Sequence, residues 1–221
     1  MVEVMINPKQ AGLYAALIIV SGCSTVPPQV LLTIQEQKRL AWADYSMTER
    51  FTQKAQDCIR NGPNITVNEL EPSEVLGGKK PSAHYDPNTQ HRRLDEIMFR
   101  EGSIEGASIH ESIHQVIDCG LVDLRKFKSI YGRMESEKYP IKKEVESRVA
   151  HYKEGFYDLI EERVAYLGEL WNLMGYKVSP EMEEFLSSFL TPDKKGEIMH
   201  GLIGKDTRTG KQETFPRGWK K

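Results

Sequence analysis

Residues 108–116 read Ser-Ile-His-Glu-Ser-Ile-His-Gln-Val, and no other stretch restricts the fold and chemistry of the chain as tightly. Two histidines, His110 and His114, stand four residues apart, and Glu111 directly follows the first. In an α-helix this spacing places both imidazole rings on one face, one turn apart. Apolar residues recur at the spacing of a buried helix face: Ile109, Ile113, Val116 and Ile117. The pattern therefore predicts a helix that packs against a core and carries paired imidazoles.

Paired imidazoles at this spacing are typical of a metal site. Two neutral rings on one helix face can bind the same Zn²⁺, each at about 2.0–2.1 Å. Glu111 would then point toward the ion, where its carboxylate can take a proton from a water molecule. The alternative is an ordinary amphipathic helix with two histidines on its polar face. We predict a zinc site, because only six histidines occur in the chain and two of them surround a glutamate at this spacing.

The composition describes one globular domain. The chain has 221 residues, enough for a single core, with 39% hydrophobic and 28% charged residues. A net charge of −2 argues against a nucleic-acid-binding protein. Residues 204–221 carry six Lys or Arg and two acidic residues, and we predict that this basic tail is a flexible, solvated end.

The N-terminal segment has the features of a secretion signal. Residues 11–20 form an apolar run that is too short to span a bilayer as a helix but fits the core of a signal peptide. The tetrapeptide Val-Ser-Gly-Cys that ends at Cys23 follows directly and resembles the lipobox of bacterial lipoproteins. The resemblance implies a signal peptide over residues 1–22 and acylation of Cys23. The alternative is a short buried N-terminal helix.

A linker rich in Ser, Thr and Pro follows over residues 23–32. Ser24, after the cysteine, implies by the same resemblance that the chain is sorted to the outer membrane, facing the periplasm. If Cys23 carries lipid, Cys58 and Cys119 remain as an even pair in an oxidising compartment. We predict one disulfide between them, with two buried thiols as the alternative.

The segments before the motif predict a helix followed by a small sheet. Thr33 and Glu36 form a capping box, and the helical pattern extends to Cys58 with a possible break near Ser46. Three segments have strand or hairpin signals: residues 65–70, 82–86 and 92–99. They predict a small antiparallel sheet that precedes the motif helix, for which Ser103 is the candidate N-cap.

The second half of the chain is predicted to be helical after a loop. The stretch from Gly120 to Pro140 is charged and is predicted to be rich in loops. A long apolar stripe predicts one helix over roughly 142–174, and a shorter helix follows over 180–190. These elements predict an α+β fold that is mainly helical, with its domain over residues 33–203.

A catalytic zinc usually takes three protein ligands. A third histidine in the extended motif H-E-x-x-H-x-x-G-x-x-H is excluded, because Ile117 and Gly120 occupy the places of its glycine and histidine. The predicted long helix offers Glu161 and Glu162 instead. Each of them borders one edge of the apolar face, so helical geometry leaves both open as the third ligand.

At these residues the chain resembles the gluzincin class of zinc metallopeptidases. In that class a glutamate on a second helix, with a small residue three positions later, completes the zinc site. The resemblance favours Glu162, which has Ala165 at that position, and keeps Glu161 as the alternate. It also implies a zincin-like fold. Tyr166 stands four residues after Glu162, where the class often has an Asp or Asn that supports a histidine ligand. This chain departs from the class at that position, so the resemblance does not identify the residue that supports its histidines.

The resemblance implies a zinc-dependent peptidase, anchored in the cell envelope, in which Glu111 is the catalytic base. Its partners would be a peptide or protein substrate and, through the lipid anchor, the membrane. Asp118 is a candidate for orienting an imidazole ring. Four residues are candidates for stabilising the transition state: His84, His151, Tyr152 and Tyr157. The alternatives are a lipid-anchored binding or scaffolding protein, in which the motif is coincidental or holds a structural metal, and a metal-dependent hydrolase of a non-protein envelope substrate. The sequence leaves the oligomeric state open.

Overall fold

The computed structural model describes residues 29–72, 76, 78–152 and 159–192, with the backbone of 203–205 and 212–214. Several predictions therefore fall outside the described residues: the signal peptide over 1–22, acylation of Cys23, the linker up to residue 28, Tyr157 and most of the basic tail. At the start of that tail, two short strands, β4 (Ile203–Lys205) and β5 (Gln212–Thr214), pair in antiparallel orientation.

The described residues are mainly helical, as predicted. Eight helices are present in this part of the chain: α1 (Ile34–Thr48), α2 (Gln53–Asn61), α3 (Glu96–Glu101), α4 (Ile104–Asp118), α5 (Leu124–Arg133), α6 (Pro140–Val149), α7 (Ile160–Met174) and α8 (Pro180–Ser187). The predicted capping box of Thr33 and Glu36 opens α1. The predicted break lies between α1 and α2, slightly beyond Ser46. None of the described helices is long and apolar enough to cross a membrane.

A three-stranded sheet precedes α4, but it is mixed and not antiparallel as predicted. Strand β2 (Ala83–Asp86) and strand β3 (His91–Asp95) are joined by a short turn and pair in antiparallel orientation. Strand β1 (Thr66–Asn68) pairs with the other side of β3 in parallel orientation, and the chain between Asn68 and His91, which includes β2, is long enough for the crossover that parallel pairing requires. Strand β3 ends earlier than predicted, because the Asp95 side chain accepts a hydrogen bond from the backbone N–H of Ile97 and caps α3.

Two helical predictions for the second half are wrong. The stretch predicted to be loop contains α5, whose N-terminus is capped by the side chain of Asp123. The single long helix is instead two helices, α6 and α7, that pack on each other. Arg163 of α7 donates to both carboxylate oxygens of Glu146 of α6, at 2.9 and 3.0 Å. In one straight helix these residues would be about 25 Å apart, so this ion pair requires two helices.

Helix α4 lies between two hydrophobic clusters. The larger cluster packs α4 against α7 together with α2, α5, α6 and α8. The smaller one lies among α1, the sheet, α3 and the first residue of α4. A disulfide between Cys58 of α2 and Cys119, the C-cap of α4, joins these helices at the surface, as the sequence predicted. By loop entropy such a crosslink stabilises the fold by about 4 kcal/mol.

Candidate metal centre

Helix α4 supplies the two histidines of the motif. Its N-terminus is capped by Ser103, as predicted, since the hydroxyl accepts a hydrogen bond from the N–H of Gly106. His110 and His114 occupy the side of α4 that faces α7, and their ring centroids are 5.1 Å apart. Glu111 is buried beside them, and burial raises the pKa of its carboxyl group.

Helix α7 brings Glu162 between the two imidazoles. One carboxylate oxygen lies 3.3 Å from Nε2 of His110, and the other lies 3.5 Å from Nε2 of His114. The three side chains place candidate ligand atoms within 4.8 Å of one another. Glu161, the alternate, comes only within 4.0 Å of Nδ1 of His114, and half of its side chain is exposed, against 21% for Glu162.

The close approach of α7 to α4 depends on small residues on α7. Ala165 is completely buried, and the backbone of Gly168 lies against the side chain of Ile113. A Cβ atom at Gly168 would lie 2.6 Å from Cδ1 of Ile113 and 3.1 Å from Cδ1 of Leu190, closer than packed carbon atoms allow. A larger residue at this position would therefore require the side chain of Ile113 to shift, and glycine lets the two helices lie this close without that adjustment.

The buried ionisable groups of the centre shift one another's pKa values. Burial alone would raise the pKa of Glu162, but hydrogen bonds with His110 and His114 outweigh it and lower the pKa well below its usual range. Burial alone would lower the pKa of His110, but Glu162 and Glu169 raise it well above its usual value. The Glu162 carboxylate is therefore held as an anion that faces both rings.

A second carboxylate on α7, which the sequence analysis did not identify, supports His110. Oε2 of Glu169 lies 3.5 Å from Nδ1 of His110, on the side of the ring opposite Glu162, at an ion-pair distance and without the geometry of a hydrogen bond. Arg148 of α6 donates to the other oxygen of Glu169 at 3.1 Å. Glu169 follows Glu162 by seven residues, two helical turns, and this spacing is the one sequence signal for it. A histidine that contacts a carboxylate through its second nitrogen is typical of metal ligands.

The candidate for orienting an imidazole, Asp118, has other partners. Its carboxylate accepts hydrogen bonds from Tyr85 at 2.9 Å and from Gln90 at 3.4 Å, at the exposed end of α4. The carboxylate that faces Nδ1 of His110 is that of Glu169, whereas Tyr166 packs on the His110 ring with the two ring centroids 4.4 Å apart.

Of the residues predicted to assist catalysis, Tyr152 lies in the centre. Its hydroxyl donates to Glu162 at 2.9 Å and is 3.3 Å from the hydroxyl of Tyr166. His84, on β2, is close enough for its pKa to be influenced by His114 and Glu162, although burial and Arg93 dominate and lower it. His151 is exposed.

The donor set fits a zinc ion. Two imidazole nitrogens and one carboxylate oxygen are the protein ligands of many catalytic zinc sites, which leave a fourth position for water. In a tetrahedron with bonds of 2.0–2.1 Å, neighbouring ligand atoms are about 3.3 Å apart. Each Glu162 oxygen lies at about that distance from one imidazole nitrogen, at 3.3 and 3.5 Å, and the three donors lie within 4.8 Å of one another, so small side-chain rotations would bring them around one ion.

Comparison of the chain with protein families, with curated proteins and with solved structures finds no match. His110 and His114 of α4 and Glu162 of α7 bring three candidate ligand atoms within 4.8 Å of one another.

Proposed function

We propose that the chain is a zinc-dependent peptidase of the gluzincin type, with His110, His114 and Glu162 as the zinc ligands. The observation that carries the proposal is that each oxygen of Glu162 faces Nε2 of a different histidine. The likeness to gluzincins in the motif and in the glutamate of the second helix supports it, since the class uses the same three ligand types.

Glu111 would be the proton carrier of the reaction. Zinc, when bound, supplies a water of lowered pKa and polarises the carbonyl of the substrate. Glu111 accepts one proton from the water whose oxygen attacks the peptide carbonyl carbon, and delivers it to the amine as the C–N bond breaks. Burial raises the pKa of the Glu111 carboxyl group, which brings that pKa closer to neutral pH. A carboxyl group with a raised pKa is better suited to accept a proton and then to release it.

The position of β2 supports an extended peptide as substrate. This strand lies at the edge of the sheet and packs against α4. Among the described residues, no strand pairs with its outer edge. An extended peptide can add to such an edge through main-chain hydrogen bonds. His84 on this strand and Tyr152 are then the polar side chains best placed to meet the reacting carbonyl.

The same proposal includes a bacterial lipoprotein, anchored at Cys23 in the envelope and facing the periplasm. The disulfide between Cys58 and Cys119 supports an oxidising compartment, since such crosslinks are rare in the cytosol. Metabolic labelling with palmitate should mark the wild type and not Cys23→Ala. Unlabelled wild-type protein would contradict the anchor without affecting the metal centre.

Metal analysis tests the centre most directly. The purified wild type should contain one zinc per chain, whereas His110→Ala and Glu162→Ala should contain none. Glu161→Ala is the matched control, because this neighbouring glutamate is half exposed and should be dispensable. Circular dichroism checks that each variant is folded. A wild type without zinc would contradict the proposal, and zinc without hydrolysis of any extended peptide would indicate a structural metal.

A further inference from the structure

The outer face of α1 carries a concentration of exposed apolar side chains. Leu31 is 92% exposed and Ile34 73%, while Trp42 and Tyr45 are 56% and 55% exposed. Ile34, Lys38, Trp42 and Tyr45 recur at intervals of three or four residues and therefore share one side of the helix. The rings of Trp42 and Tyr45 are 6.2 Å apart. Exposed apolar surface of this kind marks a site of interaction.

The charges on this face have one sign. Among the eight exposed positions of α1, Lys38 is the charged residue on this face. Arg39 lies about 100° further around the helix, with its guanidinium carbon 5.4 Å from the centroid of the Phe99 ring. The two acidic residues of α1 are partly buried, and each is paired with an arginine of another element: Glu36 with Arg100, and Asp44 with Arg92. The face therefore combines one lysine with aromatic and aliphatic groups and no acidic residue, a combination that suits the surface of a bilayer containing anionic phospholipid.

The outer face of α1 is close in the sequence to Cys23, the proposed lipid anchor, and this short distance points to the bilayer as the surface that the face contacts. Leu31 follows Cys23 by eight residues, and eight residues span at most about 29 Å. An acylated Cys23 would therefore keep this face close to the bilayer at a high effective concentration. Tryptophan and tyrosine favour the boundary between lipid and water. We propose that the outer face of α1 lies against the anionic phospholipid surface to which Cys23 attaches the chain, an inference that rests on the anchor in the proposed function.

This orientation has a consequence for the substrate. The inner side of α1 contacts α4 at Ser108, whose hydroxyl donates to Asp44 at 3.2 Å. His110 is about 200° from Ser108 around the axis of α4 and faces α7. The metal centre would thus lie on the side of α4 turned away from the bilayer. A substrate would reach it from the aqueous side, which favours a water-soluble polypeptide over a lipid.

Quenching of tryptophan fluorescence tests the orientation. The acylated full-length chain is reconstituted into vesicles of phosphatidylethanolamine and phosphatidylglycerol with brominated acyl chains. We expect the brominated lipid to quench the tryptophan fluorescence of the wild type. The quenched fraction should be much smaller in Trp42→Phe and should not fall in Trp171→Phe, because Trp171 is a core residue. The double variant Leu31→Asn/Ile34→Asn should lower the quenching at least twofold. Ile97→Asn, an exposed isoleucine outside α1, is the matched control and should leave it unchanged.

Each other outcome overturns the inference. Equal quenching in wild type and Trp42→Phe would mean that α1 does not contact the lipid. If brominated lipid does not quench Trp42, but the accessibility of Trp42 to a water-soluble quencher falls as more protein is added per vesicle, the face binds a second copy of the chain. An intact mass without acyl chains on Cys23 would remove the anchor and this inference together. Zinc content and peptide hydrolysis, measured on the same preparation, would still test the metal centre separately.

Discussion

The two sides of α4 differ in how far their buried charges are balanced by charges of opposite sign. On the side of α1, Arg92 is almost fully buried and donates to Asp44 at 2.6 Å and to Ser112 at 2.8 Å. One cation meets one anion there, so the charges balance, although Nε of Arg92 has no hydrogen-bond partner among the described residues. On the side of α7, the carboxylates of Glu111, Glu162 and Glu169 surround two imidazoles. Arg148 contacts Glu169 at 3.1 Å, and Arg92, on the other side of α4, acts on Glu111 through its charge.

The balance of buried charge distinguishes the structural ion pair on the α1 side of α4 from the candidate metal centre on the α7 side. Without a metal, the raised pKa of His110 favours its cationic form, which offsets part of the negative charge on the α7 side. Metal ligation requires neutral imidazoles, and three ionised carboxylates with the guanidinium of Arg148 would then leave two excess negative charges. Buried charge of one sign is costly unless it is compensated. A divalent cation among these ligands would supply that compensation, whereas the α1 side needs nothing further. The comparison predicts that substitutions on the α1 side change stability and that substitutions on the α7 side change metal binding or turnover.

The largest expected effect is on catalysis. Glu111→Gln keeps the size of the side chain but removes the group that accepts the proton, so kcat on a peptide substrate should fall about 10²–10⁴-fold. Zinc content should stay at the wild-type level, since this residue is not a proposed ligand. Turnover and metal content are measured on one preparation. Retained activity would remove Glu111 from its role, and lost zinc would show that it helps to bind the ion.

Asp44→Ala examines the α1 side. It leaves Arg92 buried without its carboxylate, which should lower the free energy of unfolding by about 3 kcal/mol. Zinc per folded chain should not change. Urea denaturation gives the stability, and Asp57→Ala, on an exposed turn of α2, is the control that should change it by less than about 0.5 kcal/mol. A fall in zinc affinity with Asp44→Ala would show that the two sides are coupled.

Glu169→Gln examines the support of a proposed ligand. Removing the charge that faces Nδ1 of His110 should weaken zinc binding about 10–100-fold, as measured by competition with a chelator. Glu144→Gln is a close control, because Glu144 accepts from the same Arg148 at 3.1 Å but is on the outer side of it. Equal effects of the two substitutions would mean that Arg148, and not the contact with His110, accounts for the change.

Features encoded within a few residues were predictable from the sequence. The caps at Thr33 and Ser103 and the helix through His110 depend on partners no more than four positions away. Pairing of β1 with β3 and the contact of Glu169 with His110 join distant segments, and no local pattern specifies them. The break between α6 and α7 likewise depends on packing between the two helices.

The choice between Glu161 and Glu162 was open for the same reason. Neighbouring residues on a helix point about 100° apart, so the ligand depends on how α7 is rotated about its axis. That rotation is set by contacts along the whole interface, including Gly168 against Ile113. The ligand types could be predicted from the motif, whereas the choice of glutamate required the packing.

The smallest expected effect concerns that packing. Gly168→Ala places a methyl group against Cδ1 of Ile113 and should lower the free energy of unfolding by about 1 kcal/mol, since overpacking outweighs the gain in helix propensity. Gly132→Ala is the matched control, because nothing lies within 4 Å of its Cβ position on α5, and it should stabilise the chain by up to about 1 kcal/mol.

A second substitution separates overpacking from other causes. Ile113→Val removes the Cδ1 atom that the new methyl group would meet, so the double variant Gly168→Ala/Ile113→Val should be more stable than the sum of the single changes predicts. Zinc affinity should follow the same order, because the distance between α4 and α7 sets the approach of Glu162 to the histidines. Purely additive effects on both quantities would show that the helices do not depend on this contact, and the comparison of the two sides of α4 would then need another basis for the geometry of the metal centre.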